Sequence, residues 1–137
     1  ETGQPTQSFY ELPEDQTGNQ LPSQANHKAA ISILHNMGLS DGSNLSFLGT
    51  WAYNGDMYPT IGNVDLYEIE AYDRLDASVT WTSKDEQWSA MLYANNLLDE
   101  IGLNEFVASG GFGGQVFLGS PTNHREYGLI LRWTPNF

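Results

Sequence analysis

Five segments of this chain alternate apolar and polar residues, and this alternation limits the folds open to it. Successive side chains of a β-strand point to opposite faces, so each segment is predicted as a strand with one apolar face and one polar face. In the third segment, Leu75, Val79 and Trp81 lie opposite Arg74 and Asp76. The predicted strands, which form an antiparallel all-β meander, are about 27–37, 44–54, 73–83, 87–96 and 125–133.

The first segment also fits a helix. The residues that recur there at helical spacing are Ala30, Ile33, Leu34 and Met37. A strand is favoured because the turn-forming run "GLSDGSN" ends the segment and a second β-rich run follows it.

The connections between these strands alternate in length. The first and third are short turns, whereas the second and fourth run over about 55–72 and 97–124. Because successive connections of a meander lie at opposite ends of the sheet, one end has tight turns and the other has long loops. Residues 1–26, which lie at the long-loop end, are predicted as an extracellular loop or a disordered lead-in. Such unequal ends are typical of outer-membrane barrels.

The strand lengths agree with a membrane barrel. Ten residues at ~3.3 Å each, tilted by ~45°, cover roughly 23 Å, close to the apolar band of ~25 Å in such barrels. Trp81, Trp88 and Trp133 lie near the tight-turn end and Tyr53 near the other end, where aromatic girdles occur. In the alternative, a soluble β-sandwich, these aromatics form a core. Charged residues on the opposing faces, such as Arg132, argue against it.

The charge of the chain excludes one class of partner. Five basic residues against 17 acidic residues give a net charge of −12, which excludes nucleic acid because a phosphate backbone requires a basic face. Cysteine is absent, no signal peptide is visible, and no stretch approaches the ~18 apolar residues of a membrane helix.

Two segments resemble a known family. The run "YDRLDASVTWTSKDEQWSAMLYANNLLDE" (72–100) and, after a glycine-rich loop, "REYGLILRW" (125–133) are similar to the C-terminal strands of TonB-dependent outer-membrane receptors. "GNQLPSQANHKAAISI" (18–33) resembles a loop and strand further upstream in that family. The resemblance covers about 18–137, and its most specific part is 88–100, which ends in "NNLLDE".

The resemblance implies a fold, a location and a function. It predicts that 27–137 is the C-terminal portion of a transmembrane β-barrel that has about 22 strands in the family, in the outer membrane of a Gram-negative bacterium. The implied function is nutrient uptake, of the siderophore, cobalamin or carbohydrate class, without enzymatic activity. The implied partners are the remaining barrel strands and plug, TonB acting through that plug, outer-membrane lipid and lipopolysaccharide, and the barrel assembly machinery.

The last strand carries a pattern of its own. Its spacing resembles the signal that the barrel assembly machinery reads. That signal consists of a polar residue, a glycine and two apolar residues at fixed spacing, followed by a terminal aromatic residue. The residues in question are Glu126, Gly128, Leu131, Trp133 and Phe137. The "TPN" before Phe137 departs from the usual pattern, in which the aromatic follows more directly. Five strands cannot close a barrel, so other strands of the same or a companion chain are required.

Ligand contacts are predicted in the outer loops, where aromatic, amide and acidic side chains occur together. The candidates are Tyr53, Asn54, Asp56, Tyr58, Tyr67, Phe112 and His124. No catalytic or metal site is predicted, because the histidines are scattered and the acidic pairs follow from composition. The glycine-rich "ASGGFGGQ" is interpreted as a mobile outer loop. No cofactor is expected, apart from a divalent cation that the acidic loops could bind.

Two other functions remain open at this point. A soluble β-sandwich with aromatic loops at one end would be a ligand-binding or carbohydrate-binding module. A structural piece of another assembly, including a different type of barrel, is the third hypothesis. Folding in buffer without detergent or companion strands would favour the soluble β-sandwich over the receptor.

Overall fold

The computed structural model describes residues 15–111 and 114–135, the side chains of 104–117 excepted. Strands and one short 3-10 helix, Asp65–Tyr67, make up its regular structure. The strands are β1 (Lys28–Gly38), β2 (Asn44–Asn54), β3 (Tyr72–Thr82), β4 (Trp88–Asn95), β5 (Leu103–Gly111), β6 (Gly114–Pro121) and β7 (Glu126–Trp133). Within the described ranges, no helix has the length and apolar character needed to cross a bilayer.

Five of the strands form one antiparallel sheet in the order β1-β2-β3-β4-β7. The prediction of an all-β fold with five antiparallel strands is therefore confirmed, and each strand begins and ends within one residue of its predicted range. The helical alternative for the first segment is wrong. β1 pairs without interruption with β2 from Lys28 opposite Asn54 to Gly38 opposite Asn44, so its hydrogen bonds to β2 run between strands and not along a helix.

The fourth connection differs from the predicted irregular loop. It contains a hairpin in which β5 pairs with β6, with Val107 opposite Leu118. The glycine-rich composition concealed this, because the alternation lies in the short runs on either side of the glycines. In the described backbone, β5 and β6 pair with each other and with no strand of the five-stranded sheet. The hairpin therefore extends the long-loop end without adding a strand to that sheet.

The register places most of the large apolar residues of the five strands on one face, whereas Leu34, Leu48, Met91 and Ile130 point to the other. One row across the sheet consists of Met37, Leu45, Trp81, Ala90 and Leu131. The next row on that face consists of His35, Phe47, Val79, Leu92 and Leu129. The rows between them point to the opposite face, since side chains alternate along each strand.

Almost no core is buried within the described part of the chain. Ala25 and Ile69 are its only buried hydrophobic residues, at 8% and 6% exposure. Ile33 and Leu131, on the apolar face, are 69% and 67% exposed. A sheet of a soluble domain normally packs its apolar face on a second layer, and the described residues supply none.

Candidate functional site

The long-loop end is formed by two segments that lie against each other. Residues 15–26 contact the loop 55–71 through Ser23, whose N–H donates to the Tyr58 carbonyl over 2.7 Å. Gln20 Nε2 donates to Asp56 Oδ2 over 3.2 Å, and Asn19 donates to the carbonyl of Ile61. The described part of the predicted lead-in is thus a loop bound to its neighbour. Residues 1–14 lie outside the described ranges.

Tyr58 is the most chemically distinct of the predicted ligand residues. Burial raises the pKa of its phenol, and the negative charges of Glu68, Asp65 and Asp56 raise it further. Its hydroxyl donates to Asp65, which also stabilises the protonated phenol. The Tyr58 hydroxyl is therefore engaged by Asp65 within the loop. Asp56 and Tyr67 belong to the same loop, so three of the predicted residues do come together in one segment.

The other predicted ligand residues lie elsewhere. Tyr53 is on the apolar face of β2, where its ring stacks on Trp51 with centroids 6.4 Å apart and planes 16° apart. Asn54, on the polar face, lines a depression of about 240 Å³ together with Lys28. His124 is 76% exposed and places Nδ1 3.5 Å from Asp99 Oδ1. Phe112 lies outside the described residues.

Asn96 connects several segments at the long-loop end, a role that was not predicted from the sequence. It is 3% exposed and has a left-handed backbone with φ +51°. Its N–H donates to Asp76 Oδ1 over 2.8 Å. Its side-chain amide donates to the carbonyls of Glu100 and Asn123 over 2.8 and 2.9 Å. One side chain thereby joins β3, the segment after β4 and the segment before β7.

Residues next to Asn96 extend this connection. Asp99 accepts from the Arg125 N–H over 2.9 Å, and this bond is the main reason why its pKa lies below the ordinary value. The Arg125 guanidinium lies 3.7 Å from the same carboxylate and adds to the shift. Glu100 Oε2 accepts from the Asp73 N–H over 2.7 Å. The "NNLLDE" segment is therefore a junction that fixes both ends of the β5–β6 connection.

An acidic depression lies beside this junction. It has a volume of about 500 Å³ and its lining includes Glu68, Glu70 and Glu100 with Ile69 and Ile101. In the part of the chain that the structure describes, no three His, Cys, Asp or Glu side chains are grouped closely enough to hold a metal ion.

The polar face of the sheet has its own depression, of about 480 Å³. Its lining is mixed, with the polar residues Thr50, Asp76, Ser78, Tyr93 and Asn95 beside the apolar residues Leu48, Ala77, Met91 and Ile130. The Nε–H of Arg74 is shared between the two carboxylate oxygens of Asp76, each 3.0 Å from Nε. A charged pair on a polar surface fits a face in contact with water.

Aromatic residues mark both ends of the apolar face. Trp88 stacks on Trp133 at the tight-turn end, with ring centroids 5.9 Å apart. The Trp51–Tyr53 pair occupies the opposite end of β2. The apolar face is thus bounded by stacked aromatic pairs at two levels.

The residues of the terminal pattern divide between the two faces. Glu126 and Gly128 are on the polar face of β7, and Leu131 and Trp133 are on the apolar face. Gly128 is directly opposite Tyr93 of β4. Phe137 lies outside the described residues.

Comparison with known proteins leaves the chain without an assigned family. No family model matches it, and no curated protein or solved structure matches it either. The features of the chain that bear on its function are therefore the two faces of its sheet and its long-loop end.

Proposed function

We propose that this chain is the C-terminal portion of a TonB-dependent outer-membrane receptor for nutrient uptake. The observation that carries the proposal is the apolar face, which extends in register over five strands and is covered by nothing in the described part of the chain. The chain would supply barrel wall and outer loops, without enzymatic activity. Its place would be the outer membrane of a Gram-negative bacterium.

Lipid is the environment that suits this face. Large side chains such as Leu129 and Leu131 are 58% and 67% exposed, and contiguous apolar patches of this kind are rare on soluble monomers. Hydrocarbon chains cover such a surface without requiring a second protein layer. In water the same surface would promote aggregation.

The spacing of the aromatic residues supports the same environment. Trp81 is level with Leu45 of β2, and Leu45 is eight residues from Tyr53, which corresponds to about 27 Å along the strand. A tilt of ~40° reduces this to roughly 20 Å along the membrane normal, near the ~25 Å apolar band of outer-membrane barrels. The Arg74–Asp76 pair on the opposite face would then line the water-filled interior.

The topology limits what can complete such a barrel. The outermost strands of the described sheet, β1 and β7, run in the same direction, because four antiparallel pairings separate them. Copies of this sheet alone would join β7 to β1 in parallel, whereas bacterial outer-membrane barrels are antiparallel with an even strand number. An odd number of further strands is therefore needed, from the same chain or a companion chain. The plug and the contact with TonB belong to that remainder.

The long-loop end is the side on which a nutrient would be captured. Tyr58, Asp56 and Asn54 offer an aromatic ring, a carboxylate and an amide there, a set that suits siderophores, cobalamin or carbohydrates. The chain also carries 17 acidic residues, so a divalent cation bound in these loops belongs to the proposal. Outer-membrane lipid, lipopolysaccharide and the barrel assembly machinery are the expected contacts of the wall itself.

Cysteine labelling at two adjacent residues tests the proposal. Val79 is on the apolar face of β3 and Thr80 is on the polar face, and the chain contains no cysteine of its own. Val79→Cys and Thr80→Cys are introduced separately into the complete gene product, and outer membranes are treated with a water-soluble maleimide. We expect Thr80→Cys to react and Val79→Cys to react only after detergent is added.

Two results would contradict the membrane assignment. One is fractionation of the complete gene product as a folded protein in buffer without detergent, which would favour the soluble β-sandwich. The other is equal reaction of both cysteines in intact membranes, since a lipid-facing thiol is shielded from a polar reagent.

A further inference from the structure

The ring of Tyr93 occupies the place where Gly128 has no side chain. The two residues are direct partners in the β4–β7 ladder, and both are on the polar face. A Cβ atom at Gly128 would collide with the outer half of the Tyr93 ring, at the Cζ, Oη and Cε1 atoms. The ring therefore lies across the closing strand β7. In agreement, Gly128 is the one residue of β7 that is not exposed.

The glycine is not required by the backbone at this position. The φ angle of Gly128 is outside the left-handed region, unlike that of Gly42 at φ +88°. The strand glycines Gly38 and Gly49 have no such contact, because a Cβ at either position would meet nothing within 4 Å. What distinguishes Gly128 is the aromatic ring above it, a pairing that is known to support glycines in sheets.

A second tyrosine and glycine of this chain are arranged in the same way. A Cβ at Gly102 would collide with the ring of Tyr72. This contact joins the start of β3 to the segment before β5. The chain thus uses a tyrosine over a glycine at two separate places where a later segment meets the sheet.

We infer that Tyr93 and Gly128 form a register lock for the closing strand. This inference takes the membrane barrel from the proposed function, and it assigns to Gly128 a packing role within the terminal pattern. Alternation of apolar and polar residues prevents a slip of one residue, because every side chain would change face. It does not prevent a slip of two residues, which preserves the faces. Such a slip would place Glu126 or Ile130 under the Tyr93 ring, where there is no room for a side chain.

The register of β7 matters because the strand has a free edge in the described part of the chain. In the proposed barrel that edge pairs with a strand beyond this segment. A slip of two residues would displace β7 by about 7 Å along its length. Every hydrogen bond of the closing junction would be displaced with it, so one tyrosine and one glycine would control how the barrel closes.

Disulfide trapping measures the register directly. Met91 and Ile130 are opposite each other in the native register, so Met91→Cys with Ile130→Cys reports that register, since directly opposed Cβ atoms lie within disulfide reach. Met91→Cys with Arg132→Cys reports a slip of two residues. Both pairs are introduced into the complete gene product, with and without Gly128→Ala. The protein is refolded into phosphatidylcholine vesicles that contain no assembly machinery.

Gly128→Ala is expected to raise the yield of the slipped cross-link and to lower the ratio of folded to unfolded protein about 5-fold, the size of a strong cross-strand pair. Tyr93→Ala is expected to have a similar effect. The double variant is expected to be no worse than either single variant, because all three lose the same contact. Tyr93→Phe, which keeps the ring, and Gly49→Ala, which meets no atom, are the matched controls and are expected to behave like the wild type.

Three results would overturn the register lock. They are additive losses in the double variant, a native cross-link that Gly128→Ala leaves unchanged, and a folding defect seen in cells but not in machinery-free vesicles. The last result would mean that the assembly machinery reads the glycine itself. None of these three results affects the membrane assignment. Folding of the complete gene product in buffer would overturn that assignment, and the cross-links could still be measured in that case.

Discussion

The two ends of the sheet are stabilised by hydrogen bonds of different range. In the tight turns the partners are two residues apart: Asp41 accepts from Ser43, and Asp85 accepts from the Ser83 hydroxyl. At the long-loop end the partners are far apart in sequence, by 27 residues for Asn96 and Asn123. Local contacts can form in any chain that makes the turn. The long-range contacts exist only once the strands are paired, so the long-loop end depends on the sheet and the turns do not.

The largest effect is expected at Asn96. Asn96→Ala removes two side-chain hydrogen bonds and leaves the carbonyls of Glu100 and Asn123 without their donor. Loss of buried hydrogen bonds of this kind costs about 2–4 kcal/mol of unfolding free energy. Urea unfolding in detergent micelles measures that loss, and limited proteolysis shows whether cleavage appears in the 97–123 segment.

Asn96→Gly is the matched control for the backbone. Glycine adopts φ +51° without strain, so this variant loses the side-chain bonds alone. If both variants unfold like the wild type, Asn96 is not the junction that the geometry indicates. If only Asn96→Ala is destabilised, the left-handed backbone and not the amide accounts for the effect.

A smaller and purely local effect is expected at Gly42. This residue has φ +88° in the turn between β1 and β2, where any other side chain is strained. Gly42→Ala should cost about 1–2 kcal/mol of unfolding free energy, without new proteolytic cleavage at the long-loop end. Gly38→Ala is its control, because a Cβ there meets nothing within 4 Å. Cleavage in the 97–123 segment of Gly42→Ala would show that the two ends are coupled.

The smallest effect is expected from pH. The pKa of Asp99 is lowered in the folded chain, mainly by the Arg125 N–H. Stabilisation from a depressed carboxyl pKa is fully present above the unfolded value, 3.8, and is lost as pH falls through the lower folded value. A spin label at Ile101→Cys should therefore become more mobile as pH falls below 3.8.

Asp99→Asn provides the comparison for the pH experiment. An amide does not titrate, so the label at Ile101→Cys should show no acid step in this variant. The pKa of Asp85 is also lowered, chiefly by the Ser83 hydroxyl, but its contacts are within the turn. An acid step that survives in Asp99→Asn would assign the change to another carboxyl group.

Alternation in the sequence was sufficient to predict the five-stranded sheet and its two faces. Pairs such as Val79 and Thr80 could be assigned to opposite faces because the period of a strand is two residues and does not depend on its neighbours. The first segment was ambiguous by spacing alone. Its pairing with β2 shows that it is a strand, and that pairing is seen only in the tertiary structure.

The long-loop end was predicted less well, for a physical reason. The β5–β6 hairpin was interpreted as a mobile loop because glycines interrupt its short alternating runs. Of the ligand candidates, Asp56, Tyr58 and Tyr67 share one loop, whereas Tyr53 stacks on Trp51 on the apolar face. Spacing cannot show which distant segments meet, so the junction at Asn96 carried no signal beyond its resemblance to a family motif.

The sequence by itself determined the strands, the tight turns and the division into an apolar and a polar face. Each of these depends on residues that are neighbours in the chain or two positions apart. Only the tertiary structure decided that Tyr93 lies over Gly128, that Asn96 joins three segments, and that the apolar face has no protein layer over it in the described residues. These features arise from register and from contacts between distant segments, which alternation permits but does not specify.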